Sequence, residues 1–284
     1  MYVKWLMNLM ISKFIRQSKK IKLDSRSRKL RSIIIEGLIS SGRGHFGSAM
    51  SLIEILRILY DDILFFNSKK PFDKSRDYLI LSKGHGCLAL YAILADKGFF
   101  DKRELNKVGH FNSILAGHPE YKKIPGVEAS TGALGHGFSI ATGIAISLKI
   151  MKKKNKVFVI LGDGEINEGS NWEAALSASK HKLDNLHVII DYNKIQSYGF
   201  TKEVLDLEPL KKKWESFNFD VSEINGHDIK KLKKDLKRKS NFKPKLTICH
   251  TVKGKGFKFS ENNPFWHHKN FFTKNEIIKM RKAL

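Results

Sequence analysis

Residues 157–196, VFVILGDGEINEGSNWEAALSASKHKLDNLHVIIDYNKIQ, hold two short apolar runs separated by one amphipathic segment. VFVIL and LHVII are rich in β-branched residues and, His187 apart, apolar, the pattern of strands buried on both faces of a parallel sheet. GSNWEAALSASKHK between them has the helical period. Strand, helix and strand make a βαβ unit, so Asp163, flanked by Gly162 and Gly164, and Asn193 fall on neighbouring loops at the carboxyl edge of the sheet, where open α/β sheets bind ligands. The Asp163 carboxylate, the Asn193 amide oxygen and a spare backbone carbonyl nearby, that of Ile195, are hard donors suited to Mg²⁺ or Ca²⁺, with phosphate oxygens completing the octahedron. Gly162 and Gly164 let the backbone approach a phosphate closely. A Gly-Asp-Gly alone is common in surface turns. The buried strand before it and the Asn after the next strand make the signal specific.

Working outward, the same alternation covers most of the chain. RKLRSIIIEGLIS and SLIEILRILYDDILF carry apolar residues at helical spacing; DYLILS is a short buried strand running into KGHG, and CLALYAILADKGFF is the following helix. HGFSIATGIAISLKIMKKK is a helix rich in small residues, and KLTICHTV is a late strand after a lysine-rich helix. This order predicts an α/β fold with a mainly parallel sheet flanked by helices. No linker or repeat divides residues 25–284, which we read as one domain. Residues 1–24 form a basic extension with no acid before Asp24, loosely similar to an organelle presequence. Lys4 and Lys13 break its apolar part and no small-residue cleavage site follows, so we read it as a frayed lead into the first helix.

With 284 residues, 42% of them hydrophobic, the chain can bury a full core. The two cysteines, Cys87 and Cys249, have no ligand or disulfide spacing, which points to a reducing, cytoplasmic setting. The formal charge of +24 is spread along the chain in runs such as MKKKNK and KKLKKDLKRK. With no nucleic-acid signature and no run near the roughly 18 apolar residues of a spanning helix, we expect neither nucleic acid nor membrane as a partner.

Further motifs accompany the metal-loop pattern: SGRGHFGSAMS, LSKGHGCLALYAILADKGFF, AGHPE, PGVEASTGALGHG, HTVKGKG and ENNPFWHH, in that order. Together they resemble the thiamine-diphosphate enzymes, and among these the transketolases, from about Ser25 to the C-terminus. The resemblance is greatest to the shorter, N-terminal subunit of a transketolase split into two polypeptides. It implies the thiamine-diphosphate-binding fold, thiamine diphosphate with Mg²⁺ or Ca²⁺, and sugar phosphate substrates between which a two-carbon ketol unit moves. It also implies site residues. His45 and His267 serve proton transfer at the donor hydroxyl, His118 holds the transferred unit, and His85 sits between diphosphate and substrate. Gly132, Leu134 and Gly135 form the turn against the thiazolium. Glu168 and Glu173 couple the two halves of the assembly.

Each motif has a plainer reading beside it. A single His after a strand is more often a cap than a catalyst, STGALGHG alone is a strand-to-helix turn, HTVKGKG is equally a basic surface loop, and Glu168 and Glu173 favour the first turns of a helix. Phe46 stands where the family usually has proline, His136 where glutamine is common, and His268 where glycine is usual, leaving His267 as our choice of imidazole. The family's catalytic glutamate and substrate-phosphate arginines lie in a second domain, so the resemblance implies a partner polypeptide and a two-fold symmetric heterotetramer. Three rivals remain: a pyruvate-using synthase of the deoxyxylulose-phosphate type, a non-catalytic scaffold of the same fold, and a charge-driven nucleic-acid or membrane binder. GHPE and PGVEASTG favour ketol transfer over the synthase.

Overall fold

The structure, a computed structural model, describes residues 13–197, 199–240 and 242–284. Its helices are α1 (Lys13–Lys20), α2 (Ser25–Ser41), α3 (Phe46–Ile58), α4 (Cys87–Asp96), α5 (His136–Ile150), α6 (Gly169–Lys180), the short α7 (Thr201–Val204), α8 (Leu210–Ser216), α9 (Ile229–Leu236) and α10 (Lys274–Lys282). Strands β1 (Tyr78–Leu81), β2 (Val157–Gly162), β3 (Leu186–Tyr192), β6 (Asp220–Asn225) and β7 (Lys245–His250) form one sheet in the order β1-β2-β3-β7-β6, while β4 (Ile195–Gln196) and β5 (Gly199–Phe200) make a small hairpin. Every pairing in the main sheet is parallel.

Alternation along the strands divides the core in two. Val157, Val159 and Leu161 of β2 face one apolar cluster with Phe138, Ala145 and Trp214, while Phe158 and Ile160 face a second with Leu30, Leu52 and Tyr91. Helices α5, α6 and α8 cover the first face; α2, α3 and α4 cover the second. Two buried faces explain why these strands read as unbroken apolar runs.

Chain order runs from β1 through β2 to β3, jumps to the far edge at β6, and returns to β7 beside β3. The direction of winding therefore reverses between β3 and β7, opening a crevice at their carboxyl ends. Asn193 follows β3 and Thr251 follows β7, so the chain puts polar residues on both lips of it.

One strand was not foreseen, and one expectation needs correction. The segment DVSEIN (220–225) is a strand that the hydrophobic pattern does not reveal: four of its six residues are polar, and its strand character comes from pairing with β7 along its whole length. The N-terminal extension is not frayed throughout. Residues 13–20 are helical, and Ser18 is fully buried, its Oγ donating to Asn225 Oδ1 at 2.7 Å. Residues 1–12 of that extension lie outside the described residues.

Candidate functional site

At the carboxyl end of β2, Asp163 is buried and ties two loops together. Its Oδ1 accepts from the Gly164 amide at 2.8 Å, and its Oδ2 accepts from the Lys194 amide just beyond β3. The β2–β3 register, ending at Gly162 opposite Asp191, brings these loops side by side. Asn193 is also buried, and its Oδ1 accepts from the Ile195 amide at 3.1 Å, which turns the loop back toward Asp163. Burial pushes the Asp163 carboxyl up to about 6, with Lys253 opposing and Asp191 reinforcing the shift. A cation here would pull this carboxyl back down.

The Ile195 carbonyl is not spare: Lys253 Nζ donates to it at 2.7 Å. A buried carbonyl needs a donor, and the lysine supplies it here. HTVKGKG is thus no surface loop, since Lys253 and Lys255 are only 2% and 3% exposed. Burial lowers the Lys253 ammonium to about 7 against the attraction of Asp163.

Beneath this layer lies a charge pair that no sequence motif signals. Lys83, just past β1, reaches Asp191 Oδ2 at 2.5 Å, and both are buried. Ser51 donates to the same carboxylate at 2.6 Å and Thr251 donates to its other oxygen. Burial would raise the Asp191 carboxyl, but Lys83 and these hydroxyls outweigh it and hold the group below the usual range. Glu165 is a second residue that sequence reasoning misses. Its Oε1 accepts from Ser82 Oγ at 2.5 Å and the Gly135 amide at 3.0 Å, and its Oε2 accepts from the Gly162 amide at 2.9 Å. One carboxyl group thereby joins the Gly-Asp-Gly loop to the Gly132–Gly135 turn.

That turn depends on glycine at position 135, where φ is +83° and a Cβ would lie 2.5 Å from Ser170 Oγ. At Gly164 a Cβ would lie 2.5 Å from that of Gln196, whereas at Gly162 it would make ordinary contact with Lys83. Steric need is therefore unequal across the Gly-Asp-Gly. Gly132 lies against the His118 ring, and Leu134 occupies the turn between the two glycines. Glu168, at the N-cap of α6, packs its stem against Gly135 but is exposed; Glu173 is exposed about one turn further on. Neither joins the Asp163 cradle.

The four sequence-predicted histidines converge. His45 caps α3, His85 lies in the turn after β1, His118 in the AGHPE loop, and His267 after the short helical turn Pro264–Trp266. Ring centroids lie 5.3 Å (His45–His85), 6.3 Å (His45–His118), 5.2 Å (His45–His267) and 5.7 Å (His85–His267) apart. His268 also joins, at 4.5 Å from His45, so both candidates of the WHH motif flank His45 and only His267 also meets His85. Phe46 fixes this geometry: fully buried, it packs edge-on against Trp266 and Phe257, tying the His45 cap to the segment bearing His267. Burial, then the neighbouring His268, lowers His45 to about 3; burial, then Lys253, lowers His267 to about 2. His85 and His118 are lowered in the same direction by burial. At neutral pH these four rings are therefore uncharged, each with an acceptor nitrogen.

The cradle suits a metal–diphosphate. Asp163, Asn193 and the Ile195 carbonyl supply hard oxygens on neighbouring loops, and the carbonyl already accepts from a lysine. Among the described residues no group of three or more His, Cys, Asp or Glu side chains is arranged to hold a metal by itself.

Comparison with known proteins points the same way. Residues 24–284 match the family model described as transketolase, thiamine diphosphate binding domain. The chain is 44% identical over 250 residues to an apulose-4-phosphate transketolase subunit of Actinobacillus succinogenes, covering 87% of this chain and 91% of that protein. It is 36% identical over 252 residues to 6-deoxy-6-sulfo-D-fructose transketolase subunit SqwG of a Clostridium species, covering 88% and 92%. A solved transketolase from Leishmania mexicana superposes with a TM-score of 0.85 at 28% identity, over 92% of this chain but only 42% of that one. With the parallel sheet, the Asp163–Asn193 cradle and the matched residues in agreement, this chain belongs to the transketolase family as its thiamine-diphosphate-binding domain.

Proposed function

We propose that this chain is the N-terminal subunit of a two-polypeptide transketolase, which moves a two-carbon ketol unit from a ketose phosphate to an aldose acceptor with thiamine diphosphate and Mg²⁺, Ca²⁺ being the alternative ion. The observation that carries the reading is the meeting of two chemistries at one sheet edge: a hard-oxygen cradle around Asp163 and a wall of neutral imidazoles around His45. Subunit-length relatives support the split form, and their names carry different sugars, so ketol transfer rather than one sugar is the common element. They do not favour the synthase or scaffold alternatives.

In this reading Asp163, Asn193 and the Ile195 carbonyl hold the metal, and Lys253 withdraws from that carbonyl to let it enter. The Gly132–Gly135 turn, with Leu134, passes against the thiazolium. Thiamine diphosphate, when bound, supplies the thiazolium C2 that takes up and releases the two-carbon unit. His45 and His267, held neutral by burial, accept and return the donor-hydroxyl proton at a ring nitrogen. His118 orients the transferred unit, and His85 bridges from diphosphate to substrate. The imidazole wall also excludes water from the reacting atoms.

The partner is a second polypeptide carrying the remaining domains, and a two-fold heterotetramer in the cytoplasm is the assembly we propose. Support comes from the outer side of α5 and α6, where Ile140 and Leu176 are 38% and 62% exposed close to Glu168 and Glu173. Obligate interfaces are apolar in this way. Purified alone with cofactor and Mg²⁺, the chain should show no ketol transfer. Co-expression with a chain bearing the missing domains should restore transfer from a ketose phosphate to an aldose phosphate. Full activity of the isolated chain would overturn the split-enzyme reading.

A further inference from the structure

The helix α1 precedes the residues matched by the family model, which begin at 24. It nevertheless sits against the carboxyl ends of β6 and β7, beside the cradle. Ser18, fully buried, donates from Oγ to Asn225 Oδ1 at 2.7 Å and lies 3.2 Å from the His250 carbonyl. Lys255 Nζ returns a bond to the Ser18 carbonyl at 2.8 Å and a second to the Lys19 carbonyl at 3.2 Å. Phe14 stacks on the His250 ring with centroids 4.5 Å apart and planes 11° from parallel.

From these contacts two short routes lead into the cradle. In the first, His250 under Phe14 is bonded through Nε2 to Glu223 at 3.0 Å and lies 3.4 Å through Nδ1 from Lys194 Nζ, and the Lys194 amide donates to Asp163. The Lys194 ammonium also rests 3.6 Å above the Tyr192 ring. In the second, Asn225 Oδ1 accepts both from Ser18 and from the His227 amide. His227 Nε2 accepts from the Val252 amide at 2.9 Å, next to Lys253 and its bond to Ile195. Since Nε2 accepts, the proton is on Nδ1, which donates to Glu54 Oε2 at 2.7 Å. Glu54 is in turn forked to Arg31, whose Nε donates to the Lys255 carbonyl.

We propose that α1 is a built part of the cofactor site, with Phe14 and Ser18 as positioning residues that hold the loops of Lys194 and Lys253 in register with Asp163. The inference rests on reading this cradle as the cofactor site, but its first test does not need cofactor. Residues behind a ligand shell commonly set affinity by orienting the groups in front. A helix docked by one buried hydroxyl, one stacked ring and a lysine fork suits that task.

The test compares the full chain with its Phe14→Ala, Ser18→Ala and Phe14→Tyr variants by amide hydrogen exchange. Phe14 is half-buried, so Phe14→Ala should fold even where Ser18→Ala is more disruptive. In both truncations, exchange in residues 193–196 and 251–256 should become about fivefold faster, with β1, β2 and α4 unchanged. Phe14→Tyr, which keeps the ring, should restore wild-type protection. Unchanged exchange in both loops, or a uniform rise across the chain, would overturn the proposal. In the complex with the partner polypeptide, Phe14→Ala should weaken Mg²⁺–thiamine diphosphate binding on the order of tenfold, with kcat at saturating cofactor retained. Unaltered affinity would overturn it, whereas a wild-type complex that binds no cofactor would count against the proposed function and leave the exchange result to decide this inference.

Discussion

The oxygen cradle and the imidazole wall occupy the same edge of one sheet, yet they are held in opposite ways. Lys83 and Asp191 form a buried charge pair, Asp163 accepts from backbone amides, and Lys253 donates to a backbone carbonyl. His45, His85, His118 and His267 come from four separate segments and meet ring against ring. The first region holds charged groups against polar partners. The second holds imidazoles that burial keeps uncharged. A buried ion needs partners wherever it lies, while a neutral imidazole tolerates burial with far fewer; the difference teaches that, in the function proposed above, cofactor affinity and proton transfer should be separable.

The largest expected effect lies in the cradle. Asp191→Ala leaves the Lys83 ammonium buried and unpaired, and urea unfolding should show a loss of roughly 3–5 kcal/mol. A loss under about 1 kcal/mol would mean that this pair is no more prearranged than one at the surface.

Next come the rings. In the reconstituted enzyme His45→Ala and His118→Ala should lower kcat on the order of 10²–10³-fold, with thiamine diphosphate affinity, measured by fluorescence titration, nearly unchanged. A parallel loss of affinity would merge the two regions into one functional unit.

Asp163→Ala sharpens the contrast from the other side. Cofactor–metal affinity should fall on the order of 100-fold, with the apo chain still folded. Its melting temperature should fall only modestly, because the bonds lost from the Gly164 and Lys194 amides are offset by removing a carboxyl that burial pushes up to about 6. Equal cofactor affinity in variant and parent would remove Asp163 from the metal site.

The smallest effect is a slope against pH. His45 moves from an ordinary 6.5 to about 3 on folding, so between these values the unfolded chain binds the proton that the folded chain refuses. Stability contributed by this group is complete above 6.5 and declines as pH falls toward 3. Denaturant midpoints measured from about pH 7 to about pH 5 should therefore drop, and His45→Ala should drop less steeply. Identical slopes would show that burial does not hold this ring neutral.

Much of the cradle was legible in the primary sequence, and its supports were not. Asp163 and Asn193 could be placed because each ends an apolar run, and runs of that kind pair in parallel across a βαβ unit. Lys83 and Asp191 also follow apolar runs, but their pairing, like the burial of Glu165 and Lys253, gave no signal, since a charged residue looks alike in sequence whether it faces water or a buried partner. The strand DVSEIN was hidden by its polar residues, and α1 by the basic residues around its buried serine.

The order of strands, helices and loops, and with it the edge on which Asp163 and Asn193 lie, follows from the sequence alone, because hydrophobic period is a local property and parallel pairing carries local order to a common edge. Tertiary structure alone decided that imidazoles from positions 45, 85, 118, 267 and 268 meet within one cluster, that Lys253 points inward to the Ile195 carbonyl, and that a helix ahead of the family domain braces the loops around Asp163. Those meetings join residues distant along the chain, and what sets them is the packing of side chains such as Phe46 against Trp266 and the pairing of charges removed from water.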